Sequence, residues 1–245
     1  MQTFISTQNL TKCFGTFTAV DNITFQVAQG EIFGFLGANG AGKTTAIRML
    51  CGLLKPTSGN AQVAGFDVFT EQEEIKRNIG YMSQKFSLYE DLTVSENIEL
   101  YGGIYGLRLG EIRLRMKKLL EKLEFEAVRN KLVKSLPLGW KQKLAFSTAI
   151  FHEPKIVFLD EPTSGVDPLT RRQFWDLIYE ASENGITVFV TTHYMDEAEY
   201  CNRISLMVDG KIEALDTPKN LKTEHLAQSM DEVFYALARK ANRNE

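Results

Sequence analysis

Eight consecutive residues, Gly37-Ala38-Asn39-Gly40-Ala41-Gly42-Lys43-Thr44, have the types and spacing to hold a polyphosphate. They fit G-x-x-x-x-G-K-[ST]. Glycines let successive backbone N–H groups converge on an anion without a Cβ in the way. A helix opening at Lys43 would add unpaired N–H donors and partial positive charge. Lys43 supplies a point charge for the outer phosphates, the Thr44 hydroxyl can hold Mg²⁺, and Thr45 continues the loop into the helix. Far along the chain, Ile156-Val157-Phe158-Leu159 runs into two carboxylates, Asp160 and Glu161. Behind a phosphate loop, the first of such a pair orders Mg²⁺ through water. The second is placed to polarise a water against the terminal phosphate. Together the motifs describe a nucleoside triphosphate site.

The elements that must carry these residues are legible. Ile32-Phe33-Gly34-Phe35-Leu36 reads as a buried strand before the loop, and residues 43–52 as the helix after it. Residues 1–36 alternate apolar and polar with turn breaks and read as short strands. Residues 61–64 and 79–82 read as further strands. Thr93 with Glu96 forms a capping box that opens a helix near Val94. Ile112, Met116, Leu119, Leu120 and Leu123 share one face of a second helix, and a third spans about Trp140 to His152. Residues 86–152 are therefore a helical insertion whose basic face is solvated. After the strand at 155–160 the expected elements are a helix at 168–184, a strand at 187–191, a helix at 194–201, a strand pair around Asp209-Gly210 and an amphipathic helix from Met230 to Arg239. Strands alternating with helices predict an α/β fold with a mostly parallel sheet covered on both faces.

Composition narrows the function. The 245 residues suit one large domain, and 44 % hydrophobic with 24 % charged residues is ordinary for a globular chain. A net charge of −3 argues against a dedicated nucleic-acid binder. No apolar run approaches the ~18 residues of a membrane span, and the N-terminus does not read as a signal peptide. Cys13, Cys51 and Cys201 are odd in number and far apart, fitting neither a disulfide framework nor a metal site.

With these motifs in this order, residues 3 to about 225 resemble the nucleotide-binding subunit of ABC (ATP-binding cassette) transporters. The resemblance implies roles for further residues. Phe14 would stack on adenine. Gln84, in Tyr81-Met82-Ser83-Gln84, would reach Mg²⁺ with Thr44 and Asp160, and would face the attacking water. His193 would contact the γ phosphate beside Lys43 and the catalytic Glu161. Asp167, in Ser164-Gly165-Val166-Asp167, would cross a dimer interface. The cofactors are ATP and Mg²⁺.

One motif departs from the family. Where the signature Leu-Ser-Gly-Gly-Gln is usual, Lys141-Gln142-Lys143 sets a register that reads Leu136-Pro137-Leu138-Gly139-Trp140. Only Leu136 and Gly139 survive. In the family this segment binds the γ phosphate held by the opposite subunit, and Pro137 brings neither hydroxyl nor N–H. Proline suits a helix's first turn, so the helix from Trp140 would still offer its positive end and the Gly139 N–H. One lost hydrogen bond to a charged group weakens ATP-driven pairing by about 1.5–3 kcal/mol. Either the geometry is re-tuned, or the chain pairs with a different cassette. Among family members such signatures recur in bacterial cassettes serving ABC-2-type exporters, often as the second of two fused cassettes. The tail helix resembles the acidic-aromatic helix that ends many of them.

The implied architecture is a single cassette domain: an ATP-binding core at about 1–85 and 153–229, a helical subdomain at about 86–152, and a C-terminal helix and tail at about 230–245. The implied partners are a second cassette and a separate membrane permease. That would place the chain in the cytoplasm, peripheral on the inner face of the plasma membrane. Phe86, Tyr89, Leu92 and Tyr101 are candidates for the groove that receives the permease. Competing readings are a cassette ATPase remodelling ribosomes or DNA, a phosphate-loop kinase, and one half of a fused tandem cassette.

Overall fold

The computed structural model describes residues 2–84 and 88–241. Phe86, one of the groove candidates, lies outside them. In chain order the elements are β1 (Thr3–Phe14), β2 (Phe17–Ala28), β3 (Ile32–Gly37), α1 (Lys43–Leu50), β4 (Ser58–Val63), β5 (Phe66–Asp67), α2 (Gln72–Asn78) and β6 (Ile79–Met82). Then come α3 (Val94–Ile104), α4 (Leu109–Leu123), α5 (Leu138–Ala149), β7 (Ile156–Asp160), α6 (Pro168–Glu183), β8 (Thr187–Thr192), β9 (Arg203–Val208), β10 (Lys211–Asp216), α7 (Pro218–Glu224) and α8 (Met230–Ala241).

The main sheet has the order β10-β9-β3-β8-β7-β6. It is parallel except for the antiparallel edge strand β10. A second sheet, β2-β1-β4-β5, is antiparallel. The parallel strands are buried on both faces, as their unbroken apolar runs require. The strand period of two splits them between two cores. Phe33, Phe35, Phe158 and Phe189 point toward the second sheet, where Phe25 of β2 stacks on Phe33 at 5.5 Å. Leu36, Val157, Leu159, Val188 and Val190 point the other way, into a core continuous with the helical subdomain and α6.

This topology makes the site. The loops after β3, β8, β7 and β6 leave the same carboxyl edge of adjacent parallel strands, where open α/β sheets bind ligands. They carry the phosphate loop, His193, the Asp160–Glu161 pair and Gln84.

Several boundaries differ from expectation. Helix α1 stops at Leu50, because Gly52 takes φ +67°. Helix α5 begins at Leu138 rather than Trp140, with Pro137 as its N-cap, and ends at Ala149 rather than His152. Pro137 lacks an N–H but its carbonyl accepts from Trp140 and Lys141, so it starts the helix two residues earlier. The helix expected at 194–201 is a 3₁₀ turn, Met195–Tyr200, closed by the Cys201 N–H on the Ala198 carbonyl. Helices α2 and α7 were not anticipated; each is seven residues, too short for a clear apolar period. The capping box at Thr93 and Glu96 is present with both of its bonds.

His152, just past α5, stacks on Tyr105 with ring centroids 3.6 Å apart. Burial, helped by Arg115, pushes its imidazole down to about 4 from an ordinary 6.5. The folded value is the lower one, so the neutral ring's contribution is complete above pH 6.5 and is lost as pH falls toward 4. His152→Phe should therefore flatten the fall of Tm across that window. An unchanged Tm–pH slope would contradict this.

Candidate functional site

The phosphate loop is held open by backbone that only glycine fits. Gly42 has φ +102°, and a Cβ there would meet the Ala19 carbonyl; one on Gly37 would meet the Met207 carbonyl. The loop arches over the start of α1, whose N-cap is Gly42, so the first-turn N–H groups face the cavity. Ala41 is buried within the loop, its N–H on the Ala38 carbonyl at 3.2 Å.

Lys43 lies beneath the loop, with its side chain 4 % exposed. Its ammonium donates to the Gly37 carbonyl at 2.8 Å and the Ala38 carbonyl at 3.1 Å, and sits 3.4 Å from Glu161 Oε1. Burial lowers its pKa from the usual lysine value, while Glu161 and Asp160 pull the other way. The Thr44 hydroxyl donates to Asp160 Oδ1 at 3.2 Å, and Thr191 donates to the same oxygen at 2.7 Å. Burial raises the Asp160 carboxyl, and these two bonds oppose it.

Glu161 is the hub. Its backbone is in the left-handed region, φ 49°, a strained setting for a residue with a side chain. The strain is held by its N–H, which donates to the Thr191 hydroxyl at 3.0 Å and carbonyl at 3.1 Å. Gln84 Nε2 donates to Glu161 Oε2 at 2.9 Å, and His193 Nδ1 lies 3.1 Å from that oxygen. One carboxylate thus faces the phosphate-loop lysine, an amide and an imidazole.

Beside this hub opens a cavity of about 370 Å³, lined by Phe14, Phe17, Ala19, Asn39, Gly40, Gly42, Lys43, Thr44, Thr45, Gln84 and Glu161. Two of its lining residues, Phe14 and Phe17, are partners in register across the β1–β2 hairpin and are 50 % and 64 % exposed. Exposed aromatic faces beside a phosphate cradle suit a heterocyclic base. Phe17 was not among the sequence candidates; its pairing with Phe14 across Gly15-Thr16 was the available signal.

Gly139 and Asp167 meet in a second cluster, both against Thr170, with Leu136 just ahead of it in the chain. The Leu136 side chain is buried in the core that includes the helical segments. The Leu138 and Gly139 N–H groups stand at the first turn of α5, ahead of any intrahelical acceptor. Asp167 caps α6, accepting from the Thr170 N–H at 3.0 Å and hydroxyl at 2.5 Å, and these bonds hold its carboxyl below the usual range. A Cβ on Gly139 would collide with Thr170 Cγ2, and Gln142 Nε2 donates to the Ser164 carbonyl at 3.2 Å. Residues 161–167 therefore tie the two clusters together, with Glu161 at one end and Asp167 at the other.

The sequence matches the ABC transporter family over residues 20–164. The chain belongs to that family. Among its relatives, "Probable multidrug ABC transporter ATP-binding protein YbhF" of Escherichia coli K12 is 50 % identical over 223 residues, covering 91 % of this chain and 39 % of that protein. The linearmycin resistance ATP-binding protein LnrL of Bacillus subtilis 168 is 36 % identical, over 89 % of this chain and 70 % of that one. A solved ATP-binding subunit of an ABC transporter superposes with a TM-score of 0.85 at 27 % identity, over 96 % of this chain and 99 % of that one. The cassette MJ0796, solved as a dimer in a post-hydrolysis state with ADP and Pi, superposes at 0.79 with 28 % identity, over 87 % of this chain and 98 % of that one. The chain is thus an ATP-binding cassette, and it spans well under half of the YbhF chain.

In this ABC cassette the sequence-predicted residues around phosphate, Phe14 included, are brought together, and the signature residues stand apart at the start of α5 and just ahead of it. The contact between Gly139 and Thr170 gives a test of that second cluster. Gly139→Ala should destabilise the fold by about 1–3 kcal/mol through overpacking. Adding Thr170→Ser, which removes the methyl but keeps the hydroxyl on Asp167, should restore most of the loss. Additive losses in denaturant unfolding would refute the contact.

Proposed function

We propose that this cassette binds Mg·ATP against its phosphate loop and hydrolyses it after pairing with a second cassette, and that the cycle powers export through a separate membrane permease. The observation that carries this is Glu161, fixed by Lys43, Gln84 and His193 at the rim of the phosphate cavity. Phe14 would stack on adenine. Residues Gly37 to Thr45 would cradle the phosphates, and Glu161 would accept a proton from the attacking water. His193 would steady the γ phosphate.

The donor set fits Mg²⁺. The Thr44 hydroxyl and the Asp160 carboxylate converge at 3.2 Å, and Gln84 lies across the site. Mg²⁺ prefers one or two protein oxygens with the rest from phosphate and water. The bound ion would neutralise charge on the phosphate oxygens.

The trans contact would come from the first turn of α5, where Leu138 and Gly139 offer N–H groups at the positive end of the helix. That start supports a re-tuned signature rather than a dead one, since Pro137 sits outside the helix as its cap. Asp167 would then couple the two sites along residues 161–167.

Export is supported by relatives named for multidrug transport and linearmycin resistance. No helix among the described residues is long and apolar enough to cross a membrane. The membrane path in this proposal is a permease of ABC-2 type, a reading supported by the exporter names of the relatives. The cassette would sit on the cytoplasmic face of the plasma membrane. Tyr89 is 54 % exposed and its ring lies 6.4 Å from that of Tyr101, centroid to centroid, which supports it as part of the docking groove. We expect Tyr89→Glu to abolish co-purification with the permease while leaving ATP affinity unchanged. A variant that still co-purifies normally would remove this surface from the account.

A further inference from the structure

Behind His193 lies a brace that the reaction scheme does not use. The Tyr194 ring packs on the His193 imidazole, centroids 4.2 Å apart, and its N–H is fixed by the Thr192 hydroxyl at 3.0 Å. On Tyr194 rests the Arg171 guanidinium, 4.0 Å from the ring centroid. Arg171 belongs to the first turn of α6, four residues after Asp167, whose carbonyl receives its N–H at 2.9 Å. A cation there works against the helix dipole, so something outside α6 must hold it. The 3₁₀ turn after His193 supplies that. Asp196 Oδ2 is 3.4 Å and Glu197 Oε1 is 3.6 Å from Arg171 nitrogens. Glu197 is fully buried and accepts the Thr163 hydroxyl at 2.6 Å, which binds the same turn to the segment after Glu161. Arg171 Nε is buried with no hydrogen-bond partner, so its retention depends on the ring and the nearby carboxylates.

We infer that Arg171 and Tyr194 are positioning residues for His193: the guanidinium–ring–imidazole stack sets the angle at which His193 meets the γ phosphate, and carries movement of the Asp167 end of α6 to it. Stacking a guanidinium on an aromatic face is specific to arginine's planar group. Tyr194 lies against the His193 ring and Glu161 Oε2 meets its Nδ1 at 3.1 Å, so the imidazole is held from two directions. The inference rests on the reading of His193 as a γ-phosphate contact.

The test compares affinities for ADP and for the non-hydrolysable triphosphate adenylyl imidodiphosphate, each with Mg²⁺, by calorimetry on the full chain. Tyr194→Ala and Arg171→Met should each weaken the triphosphate roughly three- to thirtyfold while ADP affinity stays within about twofold. Tyr194→Phe keeps the ring and should match the wild type. The double variant should lose no more than either single one. Equal losses for both nucleotides would mean a merely structural role and would overturn the inference. So would an unchanged preference for the triphosphate. His193→Ala separates the two ideas. If it lowers the preference while Tyr194→Ala does not, the brace alone falls; if His193→Ala itself changes nothing, the γ-phosphate reading falls and takes the brace with it.

Discussion

Glu161→Gln is expected to lower Mg·ATP hydrolysis by roughly 10²- to 10⁴-fold, the range general-base catalysis supplies, and to leave ATP bound. The reason lies in what surrounds the carboxylate. Its backbone, strained at φ 49°, is held by Thr191 and not by the side chain, so an isosteric amide keeps its place. What disappears is the capacity to take a proton from water. The amide also loses the charge that faces Lys43 at 3.4 Å. The nucleotide-free variant should therefore unfold at a lower temperature than the wild type, and Mg·ATP, which brings its own negative charge to Lys43, should close that gap. Steady-state hydrolysis with thermal unfolding, with and without nucleotide, reads both effects. Retention of more than roughly a tenth of the activity would mean another group activates the water.

The second large effect is at Lys43. Lys43→Ala should weaken triphosphate binding about a hundredfold or more, since at least one charge-assisted contact of about 1.5–3 kcal/mol is lost along with its field. The same change should destabilise the unliganded fold. The ammonium ties the Gly37 and Ala38 carbonyls, and it is the cation facing the nearly buried Glu161. Arginine should not rescue binding, because its planar fork does not fit beneath the loop where the lysine is 4 % exposed. Calorimetry with ATP and a denaturant titration measure the two parts. A variant with near-normal ATP affinity would place the phosphates elsewhere.

How far the sequence led depends on which interactions are local. The phosphate loop, the strand before it and the acidic pair were legible because each is written in consecutive residues with fixed chemistry. The capping box at Thr93 and Glu96 was legible for the same reason. The alternation that sends Phe33 and Phe35 to one core and Leu36 to the other could be read as buried strands, but not as two separate cores. Residues joined across long separations were invisible to spacing. Thr191 is linked to Asp160 across 31 positions and Gln142 to Ser164 across 22, and neither pairing has a local signature. The start of α5 lies two residues ahead of the expected Trp140, because Gly139 is a poor helix former and hides the first turn, while Pro137, with ψ 152°, is the cap. The burial of Leu136, an anchor for the segment that follows, has no signal in the motif itself.

In the proposed cycle two cassettes complete each other's sites, with Leu138 and Gly139 at the head of α5 supplying what the usual serine and glycine would. The measurement that tests it most directly is Mg·ATP hydrolysis per molecule as a function of the concentration of the purified chain, with Glu161→Gln as the blank. The rate is expected to climb with concentration and then level as the chain pairs with itself. A rate at the level of the blank throughout would contradict it and would leave the altered signature unable to complete a site on a second copy.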